Sequence, residues 1–193
     1  MYNTAMYDLQ LRDARVLIDD EFLETTESEY LYANLIASTE WKQEYMRFYG
    51  NSVAIPRLTA WYGKEYNYSG IKNKPKDIPA ELQNLIGKVE SKTGVRYNSI
   101  LLNLYRNGKD SVSFHADDEA ELGVDPTIAS ISLGAARLFK LKHNIDKSVY
   151  SVMLRNGSLM LMGKGTQLNY THAVPKDKST KARINITMRF IYK

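Results

Sequence analysis

The chain ends on a segment, Arg183 to Tyr192, whose apolar and polar positions alternate strictly almost to its end. Side chains in a strand point to opposite faces in turn, so Ile184, Ile186, Met188 and Phe190 share one side and Arg183, Asn185, Thr187 and Arg189 the other. Two environments fit this pattern: an antiparallel strand with one face in water, or a strand whose polar face looks into a barrel. Ser99–Tyr105 reads as a second strand in which Asn103 and Tyr105 share a face among apolar neighbours; once buried, both need partners. Shorter strands are predicted at Ile128–Leu133, Arg137–Lys142, Tyr150–Leu154 and Ser158–Met162, divided by turn chemistry such as Arg155-Asn156-Gly157. Gln167–His172 is aromatic and β-prone.

Helical spacing covers Thr26 to Ser38 and Pro79 to Thr93. In the second, Leu82, Leu85, Ile86 and Val89 form an apolar stripe and Gly94 is placed as a C-cap. Early helices followed by a run of strands fit an α+β jelly roll. With 193 residues, 44% of them hydrophobic, and no repeat or linker, the expectation is one domain over 1–193, with 1–11 as a flexible lead-in. No apolar run approaches the length of a membrane span, and the first residues lack a basic-then-apolar signal pattern. A cytoplasmic protein, nuclear in a eukaryote, is expected, acting as a monomer. Cysteine is absent, which removes thiolate metal sites, disulfides and a cysteine nucleophile.

His115 and Asp117 sit one residue apart in Ser113-Phe114-His115-Ala116-Asp117. On a strand both point the same way, with Cα atoms roughly 6–7 Å apart from a rise of about 3.3 Å per residue. His172 returns near the last strand. Two imidazoles and one carboxylate form the ligand set of non-haem Fe(II) oxygenases, and leave other coordination positions open. On the residues alone, a zinc hydrolase with the same ligands, or two hydrogen-bonded core histidines, also fits. The arginines of the last strand add a candidate seat for a small dicarboxylate, held by bidentate charge-assisted hydrogen bonds. His143, in Lys142-His143-Asn144-Ile145-Asp146, reads as an exposed turn histidine without a role.

The stretch from Asn98 through His115 to Glu119 resembles the metal-site region of the AlkB family, Fe(II)- and 2-oxoglutarate-dependent dioxygenases that demethylate nucleic acid bases. So do Ile128–Phe139, Asn156–Met162, Tyr170–Pro175 and the terminal Arg183-x-Asn-x-Thr-x-Arg189. Pro56–Gly63, followed by Tyr66-Asn67-Tyr68-Ser69, resembles the subgroup acting on alkylated DNA and RNA. The likeness runs from about residue 12 to the C-terminus. It implies a double-stranded β-helix (jelly roll) with flanking N-terminal helices. It implies that His115, Asp117 and His172 hold iron and that Asn103, Tyr105, Arg183, Asn185, Thr187 and Arg189 surround 2-oxoglutarate. Arg183 and Tyr105 would take the far carboxylate, and Asn103 and Arg189 would lie nearer the metal. Met188 stands where relatives commonly carry phenylalanine; its place on the apolar side predicts altered packing alone.

The implied reaction consumes dioxygen and decarboxylates 2-oxoglutarate to succinate. The N-methyl carbon of 1-methyladenine or 3-methylcytosine is hydroxylated and lost as formaldehyde. A protein hydroxylase or demethylase, or a nucleic-acid-binding module without catalysis, is the alternative. Residues 45–80 are expected to form the substrate-recognition lid, with Tyr66 and Tyr68 as its aromatics and Arg57 as support. A base taken from its stack needs an aromatic face, worth about 1–3 kcal/mol. Asp118 and Glu119 would meet the substrate base, or else cap the following turn. Phe48-Tyr49-Gly50-Asn51 is a candidate hairpin tip, a wedge if exposed and ordinary packing if buried. The net charge of +4 permits a polyanionic partner without requiring one. Lysines at 72, 74 and 76, Lys164, and lysines at 176, 178 and 181 are the candidate phosphate contacts.

Overall fold

A computed structural model describes residues 5–192 apart from 49, 69 and 70, and describes 48, 66–68 and 71–73 by backbone alone. The elements run β1 (Tyr7–Asp8), β2 (Val16–Asp19), α1 (Thr25–Ser38), β3 (Lys42–Phe48), β4 (Asn51–Tyr62), β5 (Tyr66–Tyr68), β6 (Ile71–Asn73) and α2 (Ala80–Thr93). They continue with β7 (Ser99–Tyr105), β8 (Val112–His115), β9 (Ile128–Gly134), β10 (Arg137–His143), β11 (Val149–Leu154) and β12 (Leu159–Met162). A short helix α3 (Thr166–Asn169), β13 (Tyr170–Val174) and β14 (Arg183–Arg189) complete the chain. Eight strands form one sheet in the order β1-β2-β12-β9-β14-β7-β4-β3, four form a second in the order β11-β10-β13-β8, and β5 pairs with β6. Neighbouring strands pair antiparallel, so the fold is mixed α and β with strands dominant.

Alternation decides which face of the large sheet meets what. β14 is central, paired with β7 on one side and β9 on the other. Its apolar set, Ile184, Ile186 and Met188, lines up with Ile100, Leu102 and Leu104 of β7 and with Ala129, Ile131 and Leu133 of β9. This face joins one buried cluster with Leu31 and Leu35 of α1 and with Leu82, Leu85, Ile86 and Val89 of α2. Each such aliphatic side chain contributes about 1.5–3 kcal/mol on burial, so the stripe of α2 is the reason that helix is held. Gly94, at φ +72°, ends α2 in the left-handed conformation expected of a glycine C-cap.

The opposite face of the same sheet looks toward the small sheet. Apolar residues close the space between the sheets at its edges: Trp61, Leu101, Phe139, Leu141, Met160, Met162 and Tyr170 belong to one buried cluster. In the middle lies the polar set. Every residue of β14 is buried on both faces, so the polar side is an interior lining and not a wet surface.

Two sequence expectations are corrected here. Gln167, Leu168 and Asn169 are helical, not strand, because Gly165 at φ +82° turns the chain into α3 before β13 begins. A Cβ at Gly165 would lie 2.1 Å from the Asp13 carbonyl oxygen, so only glycine fits this turn. His143 is not an exposed turn residue: it ends β10, is 1% exposed, and packs tilted against the Tyr170 ring at 5.0 Å. β3 and β4 pair antiparallel up to Phe48 opposite Asn51, and the wedge expected at 48–51 rests on Tyr49 and the Phe48 side chain, which lie outside the described residues.

Candidate active site

His115 ends β8, and the neighbouring strand β13 places His172 directly across from it. Their ring centroids are 4.3 Å apart, and His172 also stacks on Phe139 at 5.3 Å. Asp117 reaches the same point by a route the strand argument did not anticipate. β8 stops at His115, so Asp117 lies beyond the ladder, and its backbone N–H donates to Gln167 Oε1 at 2.9 Å. α3 thus holds the loop that carries the carboxylate. Among the described residues, His115, Asp117 and His172 form the group suited to a metal ion, with one ligand atom from each within 4.8 Å of the others.

The protonation states favour that role. His115 Nδ1 lies 2.8 Å from the Ser113 carbonyl oxygen, which accepts its proton and orients the ring so that Nε2 lies 4.0 Å from Asp117 Oδ1. Burial pushes the His172 imidazole down to about 3, with His115 adding to the shift, so it is neutral at any physiological pH. Its Nδ1 is buried without a hydrogen bond. Burial pushes the Asp117 carboxyl up, but the Arg189 guanidinium and the two imidazoles outweigh it and hold the group at about 2. Arg189 Nη2 donates to Asp117 Oδ1 at 2.8 Å. A buried neutral imidazole at His172 and an ionised carboxylate at Asp117, with the His115 ring beside them, suit a divalent cation.

A narrow cleft adjoins this group. Three guanidinium groups line it (Arg57, Arg183 and Arg189) against one carboxylate, Asp117. Arg57, expected to support the lid, lies in β4, 5% exposed, and its Nε donates to Asn103 Oδ1 at 2.7 Å. Asn103 and Tyr105 enter from β7, opposite Asn185 and Arg183 of β14. Asn185 Nδ2 donates to Ser130 Oγ at 2.7 Å, and Thr187 Oγ1 donates to Asn185 Oδ1 at 2.9 Å. Arg183 Nη2 donates to Ser132 Oγ at 2.8 Å, while its Nε and Nη1 are buried without a hydrogen bond. Burial draws the Arg183 guanidinium down to about 10, with Tyr105 opposing, so it stays charged at neutral pH. A buried cation with free donors, beside an excess of positive charge, calls for an anion with oxygens to share.

Ser130, Ser132 and Gln167 were missed in the sequence. The serines alternate with apolar residues in Ile128-Ala129-Ser130-Ile131-Ser132-Leu133, a signal that they share one face. Gln167 carried no signal, since its role depends on α3. Other expected contacts are not gathered at the cleft. Asp118 is exposed and Glu119 half-buried, and neither lines it. Glu119 precedes a 3₁₀ turn at Ala120–Leu122 but makes no side-chain capping hydrogen bond. Tyr66 and Tyr68 pair with β6 as the strand β5, and their side chains lie outside the described ones.

The chain belongs to the 2OG-Fe(II) oxygenase superfamily, whose pattern it matches over residues 15–189. It is 37% identical over 191 residues to the human alpha-ketoglutarate-dependent dioxygenase alkB homolog 3, covering 93% of this chain and 67% of that protein. It is 33% identical over 158 residues to the human DNA oxidative demethylase ALKBH2, covering 76% of this chain and 60% of that one. The solved structure of OsALKBH1 matches with a TM-score of 0.69 over 93% of this chain and 99% of that chain; at 15% identity the likeness is one of fold. The protein is therefore an Fe(II)- and 2-oxoglutarate-dependent oxygenase, with dioxygen as the second co-substrate. The neutral His172 imidazole beside His115, the ionised Asp117 and the unbonded Nε and Nη1 of Arg183 fit that metal and that keto diacid. No helix among the described residues is long and apolar enough to cross a membrane.

Proposed function

We propose that the protein demethylates N-alkylated bases, 1-methyladenine and 3-methylcytosine, in DNA or RNA. The two facing sheets are then the double-stranded β-helix of its family, one domain over the whole chain, acting as a monomer. The observation that carries the reading is one cleft in which an iron-type ligand group adjoins a surplus of buried guanidinium groups. Its relatives' printed activities, a 2-oxoglutarate dioxygenase and a DNA oxidative demethylase, supply the substrate class.

In this reading His115, Asp117 and His172 hold Fe(II). Arg183 and Tyr105 grip the far carboxylate of 2-oxoglutarate, with Asn185 and Thr187 beside them and Asn103 and Arg189 nearer the metal. When bound, iron would let dioxygen oxidise 2-oxoglutarate and the N-methyl group together, which leaves succinate, carbon dioxide, formaldehyde and the repaired base. The side chains supply position and a dry setting. Ser132 and Ser130 orient Arg183 and Asn185, each through a hydroxyl fixed on β9. Arg189 keeps Asp117 ionised and aimed at the imidazoles. Gln167 fixes the loop behind that carboxylate. Phe139 and Met162 line the cleft with apolar surface, which limits water near the ligand group. Tyr66 and Tyr68, in the lid at 45–80, would cover the extruded base, and Tyr49 would contact the nucleic acid as part of the wedge. Arg57, at the base of that region, links it to the co-substrate seat through Asn103. Asp118 and Glu119 would face the base's exocyclic or cationic edge from the rim.

The test is formaldehyde release from matched single- and double-stranded DNA and RNA carrying 1-methyladenine, with a methylated peptide as competitor. Release from the oligonucleotides alone is expected. Release from the peptide alone would overturn the nucleic-acid reading.

A further inference from the structure

Arg137 is the largest buried side chain that the proposed reaction leaves without a task. It sits on β10, in the small sheet, and is 1% exposed. Its Nη2 donates to the carbonyl oxygens of Asp110 at 2.9 Å and Pro175 at 2.7 Å, and its Nη1 to that of Asn107 at 3.2 Å. Its Nε lies 2.7 Å from Asp177 Oδ2. These contacts tie together two loops, one directly after Tyr105 and one after β13. The loops also bond to each other: Gly108 N–H donates to the Ser179 carbonyl, and Asp177 N–H to the Gly108 carbonyl. A Cβ at Gly108 would lie 2.2 Å from Asp177 Oδ1, so their contact requires glycine.

The same guanidinium lies over the Tyr105 ring, its Cζ 5.5 Å from the centroid, while Arg183 lies 5.4 Å from that centroid. Arg183 is the cross-strand neighbour of Tyr105 in the large sheet, whereas Arg137 comes from the facing sheet. Tyr105 is thus held from both layers, and the loop that begins one residue after it is clamped by the arginine that touches its ring.

We infer that Arg137 is a positioning residue for the co-substrate: by fixing Tyr105 and the loop after it, it sets the geometry of the far-carboxylate end of the seat. The inference rests on the proposed placement of 2-oxoglutarate. It touches neither the metal nor the nucleic acid. Its effect is therefore confined to ligands that possess a far carboxylate.

The experiment is calorimetric titration of the Mn(II)-loaded protein with 2-oxoglutarate and, separately, with pyruvate, which keeps the keto acid and lacks the far carboxylate. Arg137→Lys retains the charge and loses the fork. It is expected to weaken 2-oxoglutarate about tenfold, since a seat displaced by a fraction of an ångström loses directed hydrogen bonds. Pyruvate affinity should stay within about twofold, the scatter expected of independent sites. In a Tyr105→Phe background the lysine substitution should add little. Asp177→Asn, which removes the ion pair and leaves the three carbonyl contacts, should give the same split in smaller degree and serves if Arg137→Lys does not fold. Equal weakening of both ligands, or of neither, would overturn the inference and leave Arg137 a structural staple. If the unaltered protein bound pyruvate but gained nothing from the far carboxylate, the proposed seat would fall, and this inference with it.

Discussion

Two arginines, each 1% exposed, lie against one tyrosine ring, and the fold treats them in opposite ways. Arg137 meets three carbonyl oxygens through its Nη atoms and has the Asp177 carboxylate 2.7 Å from Nε, so its charge and both Nη groups are answered by the protein. Arg183 meets the Ser132 hydroxyl and the Tyr105 side chain, with no carboxylate or carbonyl among the described residues hydrogen-bonded to it, and its Nε and Nη1 are buried without a well-formed hydrogen bond. A buried guanidinium costs several kcal/mol to desolvate, and that cost is met either by the chain or by something the chain binds. The difference separates a brace from a seat. The same contrast extends outward: the brace includes the loops around Gly108 and Asp177, and the seat includes His172, whose Nδ1 is likewise unanswered.

Substitutions in the seat should cost co-substrate binding with little change in stability, and substitutions in the brace should cost stability together with a smaller loss of 2-oxoglutarate affinity. The largest effect is expected at the ligand group. His115→Ala or Asp117→Ala should lower formaldehyde release by more than the roughly 10–100-fold typical of outer partners, with circular dichroism unchanged. Normal turnover in either variant would remove it from the metal site.

Next come the arginines themselves. Arg183→Met should weaken 2-oxoglutarate about 100-fold while leaving the melting temperature of the ligand-free protein unchanged or higher, because an underpaired buried charge is gone. Arg137→Met should instead cost about 3 kcal/mol, read as a fall of roughly 6–12 °C for a chain of this size. Equal melting temperatures for the two variants would erase the contrast.

A smaller and graded effect concerns pH. The folded His172 titrates near 3 against an ordinary value of 6.5, so between those limits the unfolded chain takes up a proton that the folded one refuses. The stability of chelator-treated protein should therefore fall as pH drops below 6.5, by a factor of about ten per pH unit in the folding constant from this group. Asp117, held near 2, acts in the same direction only below its ordinary 3.8. His172→Gln should flatten the upper part of the curve; an unchanged slope in urea titrations at pH 6 and pH 4.5 would contradict the burial argument.

The smallest effect is expected in the lid. Tyr68→Ala should slow processing of methylated bases about tenfold, within the range of one lost stacking contact, without altering metal content or 2-oxoglutarate affinity. Unchanged kinetics would take it out of the substrate site.

Much of this was legible along the chain because strands write their two faces into the sequence. The alternation in Arg183–Arg189 and Ser99–Tyr105 separated the helix-covered side from the lining of the cleft, and the stripe on α2 marked its buried face. The metal group was legible for a chemical reason: three histidines in 193 residues, one of them beside a carboxylate, leave few combinations. What alternation could not say was whether the polar face of β14 met water or an interior, since both give the same pattern. That required the second sheet.

The residues that misled did so where local pattern was overruled at a distance. His143 has polar neighbours, yet β13 and the Tyr170 ring bury it. Gln167 looked like strand, yet a glycine fixed against Asp13 makes it helical and puts its amide behind Asp117.

By itself the sequence determined the elements, the faces they bury and the kinds of ligand atom on offer, because each depends on spacing within a few residues. Only the tertiary structure decided which buried charge is answered by the chain and which is left for a ligand. Arg137 and Arg183 are the same residue in similar strands, and what distinguishes them is the set of carbonyls and carboxylates that distant loops bring within about 3 Å.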